Sequence, residues 1–350
     1  MARAVTLSAI AKRLGVSVQT VSNALNNTGR ISEATAEMVR KEADAMGYRP
    51  NVGALALRGT KTRTLALILC DSVLTHSPSA YLGFLVPLVA SSIRDIGYAP
   101  MIQFKETEDI ENAILPVRQG LVDGAVMVSS ALSAEKIADL ARENLPIVLF
   151  EREAPEGTLP FVTADYADGI AQAVRHVHAQ GARRITYLDG RPHWPMTSST
   201  SRYQGFLRTA NALGMEILPD LQGNWQFESG VRAFGELLAR GPLPDAIVCA
   251  NDQMAVGIIR AAQDRGIRVP QDLLVTGFDD LEFALYTTPQ LTSVRLPLAR
   301  MSARAAEVAA ALANGPVDQS QLGTTFPTDL IVRASSTPAP RESQPQGSRE

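Results

Sequence analysis

The chain has 350 residues, 45% of them hydrophobic, which is enough for two or three domains with buried cores. No apolar run reaches the roughly 18 residues of a membrane span, and the N-terminus lacks a secretory apolar stretch, so a cytoplasmic protein without membrane contact is expected. The two cysteines, Cys70 and Cys249, each end an apolar run and predict buried thiols in a reducing compartment, not a disulfide or metal site.

The net charge of −3 is unevenly distributed along the chain. Residues 1–63 contain ten Lys or Arg and four Asp or Glu, a net +6, and the remaining 23 basic and 32 acidic residues give −9. A basic head on an acidic body is typical of a protein whose head alone meets phosphate groups. A solvated charged surface would explain a basic segment too, but not its coincidence with the helical pair at residues 6–26.

Residues 6–26 predict two short helices joined by a tight turn. Thr6 can cap the first helix, and Gly15 can end it because glycine adopts a left-handed backbone without steric cost. Ser17 can cap the second helix, whose buried face is Val21, Ala24 and Leu25. The side chains left facing outward are uncharged and suited to base edges in a major groove: Val18, Gln19, Ser22 and Asn23. An ordinary amphipathic hairpin is the alternative.

A third helix, capped by Ser32 and running to about residue 46, completes an all-α helix-turn-helix domain at residues 1–48. Residues 49–63 form a linker, because Pro50 disfavours helix before it. The eight residues 52–59 are too few for a stable isolated helix, and Gly53 weakens it further. We therefore expect this segment to be helical only when something supports it.

From residue 64 onward strands and helices alternate in two blocks of similar length. Short apolar runs such as 65–70, 147–150 and 246–249 are typical of buried parallel strands. Repeated strand–helix–strand units require parallel sheets covered by helices, so the fold class predicted is α/β, with the all-α head followed by a core of two subdomains. Ligands of such sheets bind at the carboxyl ends of the strands, here in a cleft between the subdomains.

The predicted core covers residues 64–333. Subdomain one takes about 64–163 and 295–325, and subdomain two takes about 164–292 and 326–333. Residues 334–350 are rich in Pro, Ser and Gln and are predicted to be a disordered tail.

Motifs in both parts resemble the lactose/galactose repressor family (LacI/GalR) over residues 6–333. They are GVS at 15–17 and TVS at 20–22 in the helix-turn-helix, GYRPN at 47–51, ANDQMAVG at 250–257, GFDD at 277–280 and PQLTSV at 289–294. The resemblance implies a DNA-reading head, a hinge helix and a periplasmic-binding-protein-like core that binds a small effector. It also implies a homodimer on a pseudo-palindromic DNA operator.

By position, the resemblance places the base readers at Val18, Gln19 and Asn23, with further DNA contacts at Ser17, Thr20, Ser22 and Asn26. Gln19 and Asn23 can pair bidentately with adenine, and Val18 can touch a thymine methyl group. Leu57 stands where the family inserts a leucine into the minor groove to kink the duplex. A contact within the hinge core is the alternative for Leu57.

In the core, Arg202 and Asp279 match the family's effector-contacting positions. A guanidinium opposite a carboxylate can hold vicinal hydroxyls, so the pair suits a sugar. The other predicted effector contacts are the polar Asn251, Asp165 and Ser198 and the aromatic Trp225 and Tyr81. A turn carboxylate is the alternative for Asp279, and a plain core position is the alternative for Trp225. Tyr166 stands where the family often has Asn, so that corner is expected to recognise something unusual.

No enzyme signature is present: the chain has no phosphate-binding glycine loop and no nucleophile elbow. His176 and His178 point to different faces of a helix, so no metal and no cofactor are expected. The predicted function is a sequence-specific DNA-binding regulator, most simply a repressor, controlled by a small effector such as a sugar. The alternatives are an activator or corepressor-requiring regulator responding to a nucleoside or other metabolite, and a small-molecule binding protein without specific DNA reading.

Overall fold

The computed structural model describes residues 5–26, 29, 31–48, 61–70, 80–106, 109–129, 132–155, 157–190, 198–315, 317 and 323–338. The chain divides into two compact units, Met1–Thr62 and Arg63–Glu350, which we call the head and the core. Most of the predicted hinge, including Leu57, lies outside the described residues. The predicted hinge therefore stays a prediction.

The described residues of the head contain three helices: α1 (Leu7–Leu14), α2 (Val18–Asn26) and α3 (Glu33–Ala45). Thr6 Oγ1 accepts a hydrogen bond from Ala9 N at 3.3 Å, and Gly15 ends α1 with φ of 68°. Ser32 caps α3 in the same way as Thr6 caps α1. One fully buried side chain from each helix builds the centre of the head, namely Ile10, Val21 and Val39. The predicted caps and the stop at Gly15 are confirmed.

The first lobe of the core contains a six-stranded parallel sheet. Its strands are β1 (Thr64–Cys70), β2 (Ala99–Lys105), β3 (Gly124–Val128), β4 (Ile147–Phe150), β5 (Phe161–Ala164) and β12 (Thr324–Phe326), in the order β12-β5-β4-β3-β1-β2. Its helices are α4 (Ala80–Asp95), α5 (Ile110–Arg118), α6 (Ala134–Arg142) and α11 (Leu298–Asn314). Alternate residues of β1 join two different apolar clusters, because the strand is covered on both faces.

The second lobe contains a seven-stranded sheet. Its strands are β6 (Arg184–Asp189), β7 (Glu216–Ile217), β8 (Leu221–Gln222), β9 (Ala246–Cys249), β10 (Leu274–Asp279), β11 (Thr292–Arg295) and β13 (Asp329–Ile331). The order is β13-β11-β10-β9-β6-β7, β8 also pairs with β6, and β13 is antiparallel to β11. Its helices are α7 (Tyr166–Ala179), α8 (Ser198–Ala212), α9 (Phe227–Arg240) and α10 (Asp252–Gln263).

The chain passes between the lobes three times: from β5 to α7, from β11 to α11 and from β12 to β13. The carboxyl end of β4 leads to Glu151 in the first lobe, and that of β10 is Asp279 in the second. Both carboxylates interact with the same guanidinium, that of Arg202, so the two sheets face one cleft with their carboxyl ends. The predicted α/β class is confirmed.

Two predicted boundaries are wrong. The sequence predicts α8 from about residue 205, but the helix begins at Ser198. The sequence also predicts a disordered tail from residue 334, yet Ala334–Ser336 form a short 3-10 helix. Ser335 Oγ donates to Val275 O at 2.7 Å and accepts from Thr292 N at 2.9 Å, so this serine is tied into the second sheet. None of the helices in the described ranges is long and apolar enough to cross a membrane.

Candidate functional site

The second helix of the head presents its first turn to solvent. Ser17 Oγ accepts from Thr20 N at 3.0 Å and so caps α2. Val18 is 41% exposed, and Gln19 beside it is also exposed. Gln19 Nε2 donates to Asn23 Oδ1 at 2.8 Å, so these two predicted base readers orient each other on one face of the helix. The arrangement leaves amide groups at the exposed end of a short helix, where base edges can be reached.

The prediction that four side chains of α2 face outward is wrong for Ser22, which is only 9% exposed. It precedes Leu25 by three residues, and Leu25 packs against the apolar centre of the head, so Ser22 lies on the border of the buried face. The side chain of Asn26 and the whole of Leu57 lie outside the described residues.

Arg202 lies at the centre of the cleft in the core. Its side chain projects from α8, and the residue is only 5% exposed. The guanidinium carbon lies 4.2 Å from the ring centroid of Phe278, 4.6 Å from that of Tyr166 and 5.7 Å from that of Trp225. The aromatic faces favour the cation electrostatically while they remove it from water.

A close approach of two helices places this arginine. Gly205 follows Arg202 by about one helical turn, and a Cβ at Gly205 would lie 2.3 Å from Ala167 O on α7. Only glycine lets α7 and α8 approach so closely. As a result the guanidinium is held over Tyr166, the first residue of α7.

Asp279 faces Arg202, with 3.6 Å between Asp279 Oδ1 and Arg202 Nη2. It is 6% exposed and has φ of 106°, which is rare for a residue other than glycine. Within the described ranges neither side chain has a hydrogen-bond partner, and Arg202 Nε is fully enclosed. Burial raises the pKa of Asp279; Arg202 counteracts this, and nearby carboxyls add to it. Buried charges with unused hydrogen-bonding capacity destabilise a fold and are typical of ligand sites.

Glu151 brings a second carboxylate to the cleft from the first lobe. It follows β4 directly and has φ of 63°. Tyr81 Oη on α4 donates to Glu151 Oε1, and Tyr166 Oη donates to the same oxygen at 3.2 Å. Burial raises the pKa of Glu151, while the Tyr81 hydrogen bond and Arg202 counteract this shift. Burial also raises the pKa values of both phenols, which keeps them protonated as donors.

Asn251 positions Trp225 on the second-lobe wall. Asn251 Oδ1 accepts from Met254 N at 3.0 Å and caps α10, while Asn251 Nδ2 donates to Trp225 O at 2.9 Å. Trp225 has φ of 69°, so its backbone is held in a conformation that few large residues adopt. The indole packs on Gly190, where a Cβ would lie 2.2 Å from the ring. Asn251 therefore acts on the cleft through the indole that it holds.

Five predicted effector residues meet around this cleft: Tyr81, Arg202, Trp225, Asn251 and Asp279. Asp165 is different, because it is exposed and its Oδ1 accepts from Asp168 N at 2.8 Å as the cap of α7. Ser198 begins α8, but its side chain lies outside the described residues.

Glu151 and Phe278 also border the cleft, although neither is among the effector residues predicted from the sequence. A usable signal exists for Glu151, because it directly follows the buried run IVLF, just as Asp279 ends a buried run at the carboxyl end of its strand. Carboxylates at the carboxyl ends of parallel strands gather at one edge of a sheet. Phe278 has no such signal, since a phenylalanine in a buried strand is usually a core residue.

A buried acidic network supports the loop that carries Asp279. Asp252 Oδ1 accepts from Ser293 Oγ at 2.5 Å, and Asp252 Oδ2 accepts from Leu281 N at 2.9 Å. Asp280 pairs with Arg295 at 2.7 Å and with Arg333 at 2.6 Å. Burial raises the pKa of Asp252 to about 7. These contacts fix the positive-φ turn at residues 279–280 from behind the cleft.

Comparisons with known proteins match both units. Residues 6–51 match the family described as "Bacterial regulatory proteins, lacI family", and residues 174–336 match the "Periplasmic binding protein-like domain". The chain is 31% identical over 340 residues to the HTH-type transcriptional regulator DegA of Bacillus subtilis (strain 168), which covers 95% of this chain and 98% of that protein. The chain belongs to the LacI family. It is a DNA-binding transcriptional regulator, and the expectation that it is not an enzyme is confirmed by its relatives.

Solved structures of LacI-family members share the fold over almost the whole chain. The lac repressor dimer bound to operator and the anti-inducer ONPF superimposes with a TM-score of 0.81 at 24% identity, covering 96% of this chain and all of that one. The transcriptional regulator CelR in complex with cellobiose gives 0.69 at 28% identity, covering 95% of this chain and 99% of that one.

Proposed function

We propose that this LacI-family chain is a repressor that binds a pseudo-palindromic operator as a homodimer and whose operator affinity is controlled by a sugar bound in the core cleft. The observation that carries the effector site is the buried Arg202–Asp279 pair. Both residues are at least nine-tenths buried, and within the described ranges neither makes a hydrogen bond. A ligand with several hydroxyls supplies acceptors for the guanidinium and donors for the carboxylate.

The surroundings of the pair favour a ring with one polar edge and one apolar face. Tyr166, Trp225 and Phe278 present aromatic surface around Arg202, and such surface suits the C–H face of a pyranose. The similarity to a CelR structure that contains cellobiose supports the same ligand class.

On the DNA side, α2 is the proposed recognition helix, with Val18, Gln19 and Asn23 reading base edges. Two heads of a dimer would read half-sites about 10 base pairs apart, centre to centre, or a multiple of that spacing. We propose residues 1–48 as the DNA-binding domain and 49–63 as the hinge, with Leu57 entering the minor groove. The two lobes then correspond to residues 64–163 with 295–325 and to 164–292 with 326–333.

The effector site is coupled to the DNA-binding head in this proposal because the cleft residues come from both lobes of the core. Tyr81 and Glu151 belong to the first lobe, whereas Arg202 and Asp279 belong to the second. A ligand that contacts both sets favours one closure angle of the lobes. Operator affinity then changes only by the ligand's differential affinity for the two closure states.

The test is a genomic DNA selection with the full-length protein, sequenced with and without a pool of sugars and nucleosides. We expect one palindromic site whose enrichment changes with the pool. Asp279→Ala should abolish that response and keep operator affinity, whereas the surface variant Asp272→Ala, which removes an exposed ion pair with Arg268, should behave like the wild type. Absence of any enriched site would contradict the regulator proposal, and equal loss of both activities in Asp279→Ala would contradict the assignment of the cleft.

A further inference from the structure

Building on the effector site proposed above, we propose that Glu151 is a specificity-determining residue of the cleft: it admits neutral or amine-bearing sugars and excludes carboxylate- and phosphate-bearing ones. Glu151 directly follows β4, and its side chain interacts with three residues of the cleft, namely Tyr81, Tyr166 and Arg202.

The hydrogen bonds of Glu151 leave one oxygen for a ligand. Both phenols donate to Oε1. Within the described ranges no donor reaches Oε2. An ionised carboxylate oxygen can only accept hydrogen bonds, so the group that meets Oε2 must be a donor, such as a hydroxyl or an ammonium.

The charges around Arg202 work against an anion. Arg202 is the cation that favours the ionised forms of both Glu151 and Asp279, so two carboxylates share one guanidinium. The guanidinium that a sugar acid or sugar phosphate would need is therefore already shared by two carboxyl groups of the protein.

An anionic ligand has two unfavourable ways to enter this site. It can face the ionised carboxylates at close range in a poorly hydrated cleft, where repulsion is strong. Alternatively, a carboxyl of the protein can take up a proton as the anion binds, which makes binding weaker as the pH rises. A neutral sugar meets neither penalty, and an amino sugar gains an ion pair with Glu151.

The experiment compares sugars of the same hexose series whose substituents carry no charge, a positive charge at C2 or a negative charge at C6. Thermal midpoints and calorimetric affinities of the full-length protein are measured at pH 7 and constant ionic strength with glucose, glucosamine and glucuronate, and with the galactose and mannose equivalents. The protein variants are Glu151→Gln, which keeps an oxygen acceptor for both phenols, and Glu135→Gln, an exposed control on α6. We expect each uronate to bind the wild type and the control at least about tenfold more weakly than its neutral parent, and Glu151→Gln to reduce this gap to about threefold or less.

Each outcome decides the proposal. A uronate that binds the wild type as tightly as its neutral parent overturns it. If no sugar of the panel binds the wild type, uronate binding that appears only in Glu151→Gln supports the proposal, and its absence there overturns it. If Glu151→Gln does not fold, the pH series on the wild type decides: uronate affinity should rise from pH 8 to pH 6 while neutral-sugar affinity stays constant, and parallel profiles overturn the proposal. If sugars bind with the expected charge preference but none of them changes operator affinity, the proposed regulation is refuted and the role of Glu151 in charge selection stands.

Discussion

Replacing Asn251 by alanine removes two hydrogen bonds that the structure places on one side chain. The lost cap of α10 costs about 1 kcal/mol, within a usual range of roughly 0.5–2. The lost bond from Asn251 Nδ2 to Trp225 O, 2.9 Å in the structure, costs about 1 kcal/mol more. The free energy of unfolding of the core should fall by about 2 kcal/mol, which corresponds to a drop in thermal midpoint of about 3 °C for a unit that spans Arg63–Glu350.

Two further variants separate these contributions. Asn251→Ser keeps a side-chain oxygen that can cap α10 but removes the donor to Trp225. Ser133→Ala removes only a cap, that of α6, where Ser133 Oγ accepts from Lys136 N at 3.1 Å, and Ser133 makes none of the described contacts of Asn251 or Trp225. Each of these variants should lose about 1 kcal/mol of stability. Effector affinity should fall in both Asn251 variants because the indole is released, and it should stay at the wild-type level in Ser133→Ala.

The assay combines urea denaturation followed by circular dichroism with calorimetric titration of the effector that the DNA selection identifies. Equal effector affinity in Asn251→Ser and the wild type would refute the reasoning, because it would mean that the strained Trp225 backbone holds the indole without the amide. A stability loss in Asn251→Ala no larger than that in Ser133→Ala would refute the two-bond account.

Three other changes probe the head, the helix packing and the buried acid. Asn23→Ala should weaken operator binding by roughly 5- to 150-fold, the contribution of one bidentate base contact, and leave binding to unrelated DNA nearly unchanged in gel-shift titrations. Gly205→Ala should destabilise the core by roughly 1–3 kcal/mol, because its Cβ meets a backbone oxygen. Gly235→Ala on α9, whose Cβ would meet only Arg265 Nη2 at 4.0 Å, should be neutral or slightly stabilising. Equal midpoints of the two variants would contradict the packing argument. Burial raises the pKa of Asp252 to about 7 in the folded core, so the folded state favours the protonated carboxyl more than the unfolded state does. The stability that the proton provides is fully present below the ordinary carboxyl pKa and is lost as the pH rises toward 7. Asp252→Asn should therefore make the urea midpoint fall less between about pH 4 and pH 7 than in the wild type, and unchanged slopes would exclude this assignment.

The sequence alone predicted those features of the fold whose physical cause lies within a few neighbouring residues. The caps at Thr6 and Ser32 and the stop at Gly15 depend on residues within one turn, so they could be predicted. The alternation of apolar strands with helices predicted the α/β core for the same reason. Boundaries failed where distant contacts decide them: Ser335 is ordered because β10 and β11 bind its hydroxyl and its neighbours, which the polar composition of the tail does not reveal.

The sequence by itself identified the family, and its motifs pointed to α2 as the proposed recognition helix and to the Arg202–Asp279 pair residue by residue. Only the tertiary structure decided that Ser22 is buried, that Asp165 caps a helix and that Glu151 joins the cleft from the other lobe. Each of these depends on which faces meet when helices pack and strands pair. The charges around Arg202 are the clearest example of a feature set by tertiary structure. Glu151 and Asp279 are far apart in the chain, and they share one guanidinium only because the folded core brings the carboxyl ends of the two sheets together.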